Sequence, residues 1–311
     1  MNANNLISTE NLSNEEWLEW RKKGIGGSDA SVVCGLSRWK SPVELWMEKT
    51  DQLESKAAGE AAYWGTLLEP VVRNEFIKRA SLPVTEVKQI LQHPKHSFML
   101  ANVDGIIEHP ELGKGIFEAK TANEFAAKDW ENGIPDEYML QVQHYLAVTD
   151  LAYAYISVLI GGNKYLWKFI ERDQELIEML IRMESAFWKS VETFTPPAFD
   201  GSDGSTELLN RLYPLGKDSD VLTLPSDAEE LISDYEKYQA EEKEIAGKKN
   251  SAANKLKAML GEHERGISGS RTVSWKSVLS EKFNSKALKE EKPDIFSQYI
   301  SQSSYRRFSV K

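Results

Sequence analysis

One cysteine, five histidines, fewer basic than acidic residues and no long apolar run: each shortage in this sequence removes a class of protein. Cys34 alone makes no internal disulfide, no four-cysteine zinc site and no cysteine-ligated iron–sulfur cluster. The histidines show no metal-ligand spacing, so a bound metal would rest chiefly on oxygen. The longest apolar stretches, such as AYAYISVLI, stop well short of the roughly 20 residues that a membrane span needs. The start, MNANNLISTENLSNEEW, lacks the basic-then-apolar pattern of a secretory signal. The expected location is therefore the cytoplasm, with no membrane partner. A net charge of −10 argues against a polybasic coat but permits a local basic groove.

What is present suits one large domain or two modest ones, with 41% hydrophobic content over 311 residues. Capped helices are expected over 14–22 and from Ser28, then one opened by Pro42. A long amphipathic helix is expected over 57–80, carrying Glu69. VTEVKQILQ, FMLANVDGIIE and GIFEAKTA read as strands, followed by helices near 123–130 and through DEYMLQVQHYLAVTD. AYAYISVLI and KYLWKFIER flank GGN, a hairpin signal, and a helix over 173–194 follows. This order suggests one α/β unit over 1–198. PPAFDGSDGSTE opens a linker over 199–225, and 226–311 reads as a charged helical hairpin or long surface helix with a tail of short strands around a helix.

Within GIFEAKTA, Glu118 and Lys120 are two residues apart and share one face of an otherwise apolar strand. Glu-x-Lys recurs at Glu54, Glu86, Glu241 and Glu290, so the spacing alone says little, and an edge-strand ion pair is an equal reading of it. Asp104, placed before Gly105 at a bend between strands, adds a second acid. Asp104 and Glu118 are hard oxygen donors suited to Mg²⁺ (with Mn²⁺ as substitute), and the Ala119 backbone carbonyl offers a third. Lys120 would then orient or deprotonate a water for attack on a phosphodiester.

Glycines at 24, 26 and 27 precede a helix start, yet they do not form GxGxxG, and no Gly-Lys-Ser/Thr ends a Walker loop. They read as a turn that presents Ser28 and neighbouring amides to a phosphate, with Arg21 one helix earlier as a charged partner. Trp39, between Arg38 and Lys40, is the tryptophan best suited to touch DNA ends. Trp17, Trp20, Trp46, Trp64 and Trp167 read as core.

The blocks WRKKGIGGSDASVVCGLSRWKSPVELWMEK, YWGTLLEPVVRNEF, NVDGIIE, GIFEAKTA and YMLQVQHYLAVT occur in the order seen in the YqaJ-like viral recombinase family. That family is related to lambda exonuclease, and the resemblance spans about the first two-thirds of the chain. It implies an α/β, restriction-endonuclease-like PD-(D/E)xK core with a central mixed sheet flanked by helices, here joined to a C-terminal helical and α+β extension. It further implies a Mg²⁺-dependent 5′-to-3′ exonuclease acting on double-stranded DNA ends beside a single-strand annealing protein in phage recombination, in bacterial or infected-host cytoplasm. By the same resemblance Glu69, Asp104 and Glu118 are metal-binding acids and Lys120 is the catalytic lysine. Gln141, rather than Gln143, reaches the site, and Arg21 with Ser28 serves the terminal 5′ phosphate. Lambda exonuclease-type enzymes form rings, so a homo-oligomer is a further implication. A structure- or site-specific endonuclease on the same scaffold, and a non-catalytic DNA-end-binding module, are the alternatives.

Overall fold

Two strands carry the centre of the fold because their side chains alternate between two buried faces. In the computed structural model, which describes residues 2–54, 59–216, 221–302 and 304–310, β5 (Gly105–His109) and β6 (Gly113–Ala122) pair antiparallel, with Gly105 opposite Phe117. β6 then runs parallel to β7 (Tyr153–Ile160), which turns back into β8 (Lys164–Glu171) through Gly161 and Gly162, both at positive φ. With β2 (Val84–Thr85) at the edge, the mixed sheet has the order β2-β5-β6-β7-β8.

Phe117 faces α4 (Glu60–Ala80), where its ring lies 5.1 Å from Phe76, itself 5.3 Å from Tyr155. Ile116 faces the opposite way, into a cluster with Val142 and Leu146 of α6 (Asp136–Thr149). Glu118 and Lys120 share the face of Ile116, so the strand's period of two aims them at α6. α4 starts at Glu60; Ala57 and Ala58, the first positions of the helix expected there, lie outside the described residues. Pro70 sits inside α4, directly after Glu69, and has no N–H for the Thr66 carbonyl.

The stretch FMLANVDGIIE, expected as strand with a bend at Asp104, divides between two different sheets. β4 (Leu100–Ala101) belongs to a second sheet of order β1-β3-β4, with β1 (Asn4–Ser8) and β3 (Gln89–Gln92), whereas β5 belongs to the first. Residues 102–104 carry the chain between the sheets. VTEVKQILQ divides likewise between β2 and β3.

At the N-terminus, α1 (Asn14–Lys22) is closed by a capping box in which the Ser13 hydroxyl accepts from the Glu16 amide and the Glu16 carboxylate accepts from the Ser13 amide. α2 (Gly27–Val33) packs on α6, and α3 (Pro42–Lys49) opens with Pro42 after the Ser41 cap. A 3₁₀ turn (Glu124–Ala126) and α5 (Ala127–Glu131) lead from β6 to α6. α7 (Gln174–Glu192) follows β8. Trp46 is buried as expected of a core tryptophan, whereas Trp64 and Trp167 are exposed and Trp17 and Trp20 partly so.

The segment taken from its composition as a linker holds α8 (Asp203–Leu212). Gly204 of α8 lies so close to the backbone of Lys40 and Ser41 that a Cβ would fall 2.9 Å from the Ser41 nitrogen, Leu208 is buried, and Arg211 donates to Glu44 at 2.9 Å. The first compact unit accordingly runs to Leu212, and Tyr213–Lys311 is the second. Residues 217–220 of the expected linker lie outside the described ones. In the second unit, α9 (Ala228–Leu260) is one continuous helix, not a hairpin. β9 (Arg265–Ser268) and β10 (Arg271–Ser274) pair antiparallel, and α10 (Ser285–Glu291) and α11 (Pro293–Gln298) follow. No strand follows β10 among the described residues, in contrast to the expected tail.

His144 ties three elements together. Its Nδ1 lies 2.8 Å from Glu184 Oε1 on α7, and its Nε2 lies 2.8 Å from the Leu100 carbonyl on β4. A carbonyl and a carboxylate only accept, so both ring nitrogens donate and the imidazole is cationic. Burial works against that charge, but Glu184 and the Leu100 carbonyl raise the histidine pKa. A raised folded pKa contributes stability that is complete below the ordinary value of 6.5 and is lost as pH rises through the folded value. His144→Ala, which strands a buried carboxylate, is expected to destabilise the protein by about 3–5 kcal/mol. Calorimetric melting from mildly acid to alkaline pH checks this, the gap between wild type and variant narrowing on the alkaline side.

Candidate active site

Asp104 ends the crossing between sheets, where the β5–β6 ladder has not yet begun. Its Oδ2 accepts the Ala119 amide at 2.8 Å, so this side chain binds β6 just beyond the first ladder pair. Glu118 is buried, and its Oε1 accepts from Lys120 Nζ at 2.7 Å and Gln141 Nε2 at 2.8 Å. Lys120 also donates to Gln141 Oε1 at 3.0 Å, and Gln141 donates to the Tyr145 hydroxyl at 3.0 Å. Glu118 Oε2 is buried without any hydrogen-bond partner. Glu69, on α4, pairs with Arg73 one turn on, at 2.9 Å, and the same Arg73 Nη1 donates to the Asp104 carbonyl at 3.1 Å.

Glu69, Asp104, Glu118, Lys120 and Gln141 thus line a single cavity of about 380 Å³, together with Trp17, Tyr138 and Tyr145. Gln143, two residues from Gln141, points elsewhere. It donates to the Glu171 carbonyl at 2.7 Å and accepts the Asp173 amide at 2.9 Å, which fixes the β8–α7 corner.

Crowding of acids in a poorly hydrated place governs the electrostatics. Burial first, and then the Asp104 charge, push the Glu118 carboxyl up to about 8 and Glu69 up to about 7. Burial raises Asp104 as well. For Lys120, burial opposes the charge, but Glu118 and Asp104 overcome it and the amine's pKa is raised. Lys120 is therefore an ammonium group, with its Nζ 5.1 Å from the centre of the Tyr138 ring.

These acids fit Mg²⁺ by their chemistry: they are hard oxygen donors, they share a cavity, and one buried carboxylate oxygen has no partner. Among the described residues no group of three or more acidic, thiol or imidazole side chains is gathered as a ready metal cage. Mg²⁺ does not need one, since it is commonly held by one or two carboxylates and keeps several waters.

The glycine segment differs from expectation. Gly24, Gly26 and Gly27 do not adopt positive φ. Ile25 bridges parallel to Met99, accepting the Leu100 amide at 2.8 Å, so the segment is extended and runs beside the strand that leads to Asp104. Gly27 is required by close approach, since a Cβ there would fall 2.4 Å from the Tyr145 ring. Arg21 Nη2 donates to Ser28 Oγ at 2.9 Å and to Asp29 Oδ1 at 3.0 Å, and its guanidinium lies 5.0 Å from the centre of the Trp17 ring. Asp29 is nearly enclosed, and Lys49 donates to its other oxygen at 2.8 Å. Burial acts to raise this carboxyl, but Lys49 and Arg21 hold it well below the usual carboxylate range.

Ser28 and Gln141 line one small cavity of about 160 Å³ with Trp39. Trp39 also lines a larger recess of about 680 Å³ with Arg38, Trp64, Phe125 and Tyr138. Sequence reasoning missed Arg73, Asp29, Lys49, Tyr138 and Tyr145. Tyr138 and Tyr145 flank Gln141 at helical spacings of three and four, a signal available once Gln141 is placed.

Residues 16–152 match the YqaJ-like viral recombinase domain. The chain is 40% identical over 311 residues to the uncharacterized protein YqaJ of Bacillus subtilis (strain 168), covering 98% of this chain and 97% of the relative. Among solved structures it resembles the alkaline exonuclease LHK-Exo of Laribacter hongkongensis, with TM-score 0.50 and 24% identity over 64% of this chain and 97% of that one. The same enzyme in complex with dAMP gives the same figures. The shared fold is the PD-(D/E)xK nuclease fold, a mixed sheet flanked by helices.

Because Glu118 is neutral when folded up to about 8 but ionises near 4.5 when unfolded, the metal-free protein loses stability as pH rises between those values. Glu118→Gln is expected to raise the thermal midpoint of EDTA-treated protein at neutral pH and to flatten its pH dependence. Parallel melting curves of the two proteins at several pH values check this.

Proposed function

We propose, from the premise that the chain belongs to the YqaJ-like viral recombinase family, that it is a Mg²⁺-dependent 5′-to-3′ exonuclease on linear duplex DNA. It would act in recombination by single-strand annealing, beside an annealing protein. The observation that carries the reading is the convergence of Glu69, Asp104, Glu118, Lys120 and Gln141 on one cavity, with a buried carboxylate oxygen left without a partner.

Asp104 and Glu118 would hold the cation, with Glu69 and the Ala119 carbonyl as further oxygen donors. Bound there, Mg²⁺ supplies positive charge to the scissile phosphate and the departing oxygen and makes water a better nucleophile. Lys120, an ammonium fixed by Glu118 and Gln141, donates rather than accepts protons, so its role is to orient water and phosphate and to offset charge in the transition state. Water's oxygen adds to phosphorus and the bond to the 3′ oxygen of the terminal nucleotide breaks. A 5′-mononucleotide leaves, and a new 5′ phosphate remains on the strand. The dAMP complex of the alkaline exonuclease, which shares this fold, supports a mononucleotide product.

Polarity would come from Arg21 and Ser28, held together beside Gln141 and kept in place by Asp29 and Lys49. Trp39 and Arg38 at the rim suit contact with the DNA end.

The test uses linear duplexes labelled at one end or the other, with 5′ phosphate or 5′ hydroxyl, alongside a closed circle. Mononucleotides from the 5′ strand, an intact circle and no turnover in EDTA are expected. Internal cutting of the circle would favour the endonuclease reading, and early 3′ release would reverse the polarity. Asp104→Asn, Glu118→Gln and Lys120→Ala are each expected to lose at least about a hundredfold in rate. Arg21→Ala should shrink the 5′-phosphate preference by about ten- to a hundredfold, corresponding to one lost charge-assisted bond.

A further inference from the structure

α9 carries a seam that runs its whole length and is apolar except at Glu242 and Lys249. Ala228, Leu231, Tyr235, Tyr238, Glu242, Ile245, Lys249, Ala252, Leu256 and Met259 follow an unbroken alternation of three- and four-residue steps, the heptad spacing of a coiled coil. The helix has 33 residues, about 50 Å at the usual rise. Much of the seam is open to solvent: Leu231 is 69% exposed, Tyr238 57%, Ile245 65% and Met259 81%, while Tyr235, at 38%, is partly covered by Phe308. Gly247, which would weaken an isolated helix, falls on the side away from the seam.

We propose that α9 pairs antiparallel, in full overlap, with α9 of a second copy of this chain. Charge decides both occupant and direction. In a parallel pair, Glu242 would meet Glu242 of the second copy and Lys249 would meet Lys249, like charges inside the seam. In the antiparallel pair, the outer layers combine large with small or apolar with apolar: Ala228 with Met259, Leu231 with Leu256, Tyr235 with Ala252, while the central layers set Tyr238 against Lys249 and Glu242 against Ile245. Tyr238 takes the Lys249 stem, and Glu242 lies one layer from that lysine's amine.

The flanking positions are more selective. One flank bears Asp234 and Glu241 in the first half of the helix and Lys248 and Lys255 in the second. Antiparallel overlap sets Asp234 against Lys255 and Glu241 against Lys248, each pair occurring twice by symmetry. A parallel pair would set the same four residues against Gln239, Ala246, Ala253 and Leu260, with no ion pair at all. Phe308 already rests edge-on against Tyr235 at 5.3 Å, and the small Ala252 opposite leaves space beside that ring.

Sedimentation equilibrium of the full chain tests the pairing. A concentration-dependent association in which α9 joins chains two by two is expected, with a dissociation constant raised about tenfold or more by Glu241→Lys, because two attractive pairs become repulsive. The double change Glu241→Lys with Lys248→Glu should restore it. A monomer at every concentration, an assembly indifferent to the single reversal, or a double change that fails to restore it would overturn the proposal. Orientation is read on a Cys34→Ala background: a short bis-maleimide should join Asp234→Cys chains to Lys255→Cys chains. Joining of Asp234→Cys chains to each other instead would overturn it.

Discussion

Placing Glu118 in the dark between β6 and α6 is the constraint from which the rest of the core follows. A buried carboxylate needs a counter-charge and hydrogen bonds, or it stays protonated. Lys120 stands beside it on the same strand face and Gln141 bridges both from the helix above, yet burial still holds the Glu118 carboxyl up to about 8. Gln141 is held by Tyr145, whose ring excludes any side chain at Gly27 and so sets how closely α2 approaches. The His144 imidazolium, on the same helix, locks α6 to α7 and to β4. α6 is thus the common wall of the acid cluster and of the segment that carries Arg21 and Ser28.

The second oxygen of Glu118 is unpartnered and buried, as are Glu184 Oε2 and Ser157 Oγ among the described residues, and of the three only Glu118 lies in the acid cluster. Local frustration of this kind persists only where the surroundings over-determine it, and here they do: Asp104 is clamped by the Ala119 amide and Glu69 by Arg73. Each acid thus has a partner of its own: Arg73 for Glu69, the Ala119 amide for Asp104 and Lys120 for Glu118.

Much of this was legible beforehand for a physical reason. A strand has a period of two, so Glu118 and Lys120 had to share a face, and a glycine after Asp104 signalled the bend. Gln141 against Gln143 was decided by the ordered sequence blocks, because helical geometry only said that the two diverge. Arg73 and Asp29 were not legible, since an isolated charge on a helix reads as a solvated face until the chain brings a partner 31 or 20 residues away against it. The glycines before α2 read as a turn, whereas the constraint at Gly27 is the Tyr145 ring, distant in sequence. α8 was masked by linker-like composition, whereas α9 was legible as the long-helix alternative, Gly247 having left a hairpin open beside it.

The bond between Asp104 Oδ2 and the Ala119 amide joins a side chain at the sheet crossing to the backbone of the strand that bears Glu118 and Lys120. Any cation that draws on that oxygen competes with the amide for it. The Ala119 proton is therefore a built-in spectroscopic reporter: its nuclear resonance position and its rate of exchange with deuterated solvent register, one atom from the chemistry, how the carboxylate is engaged.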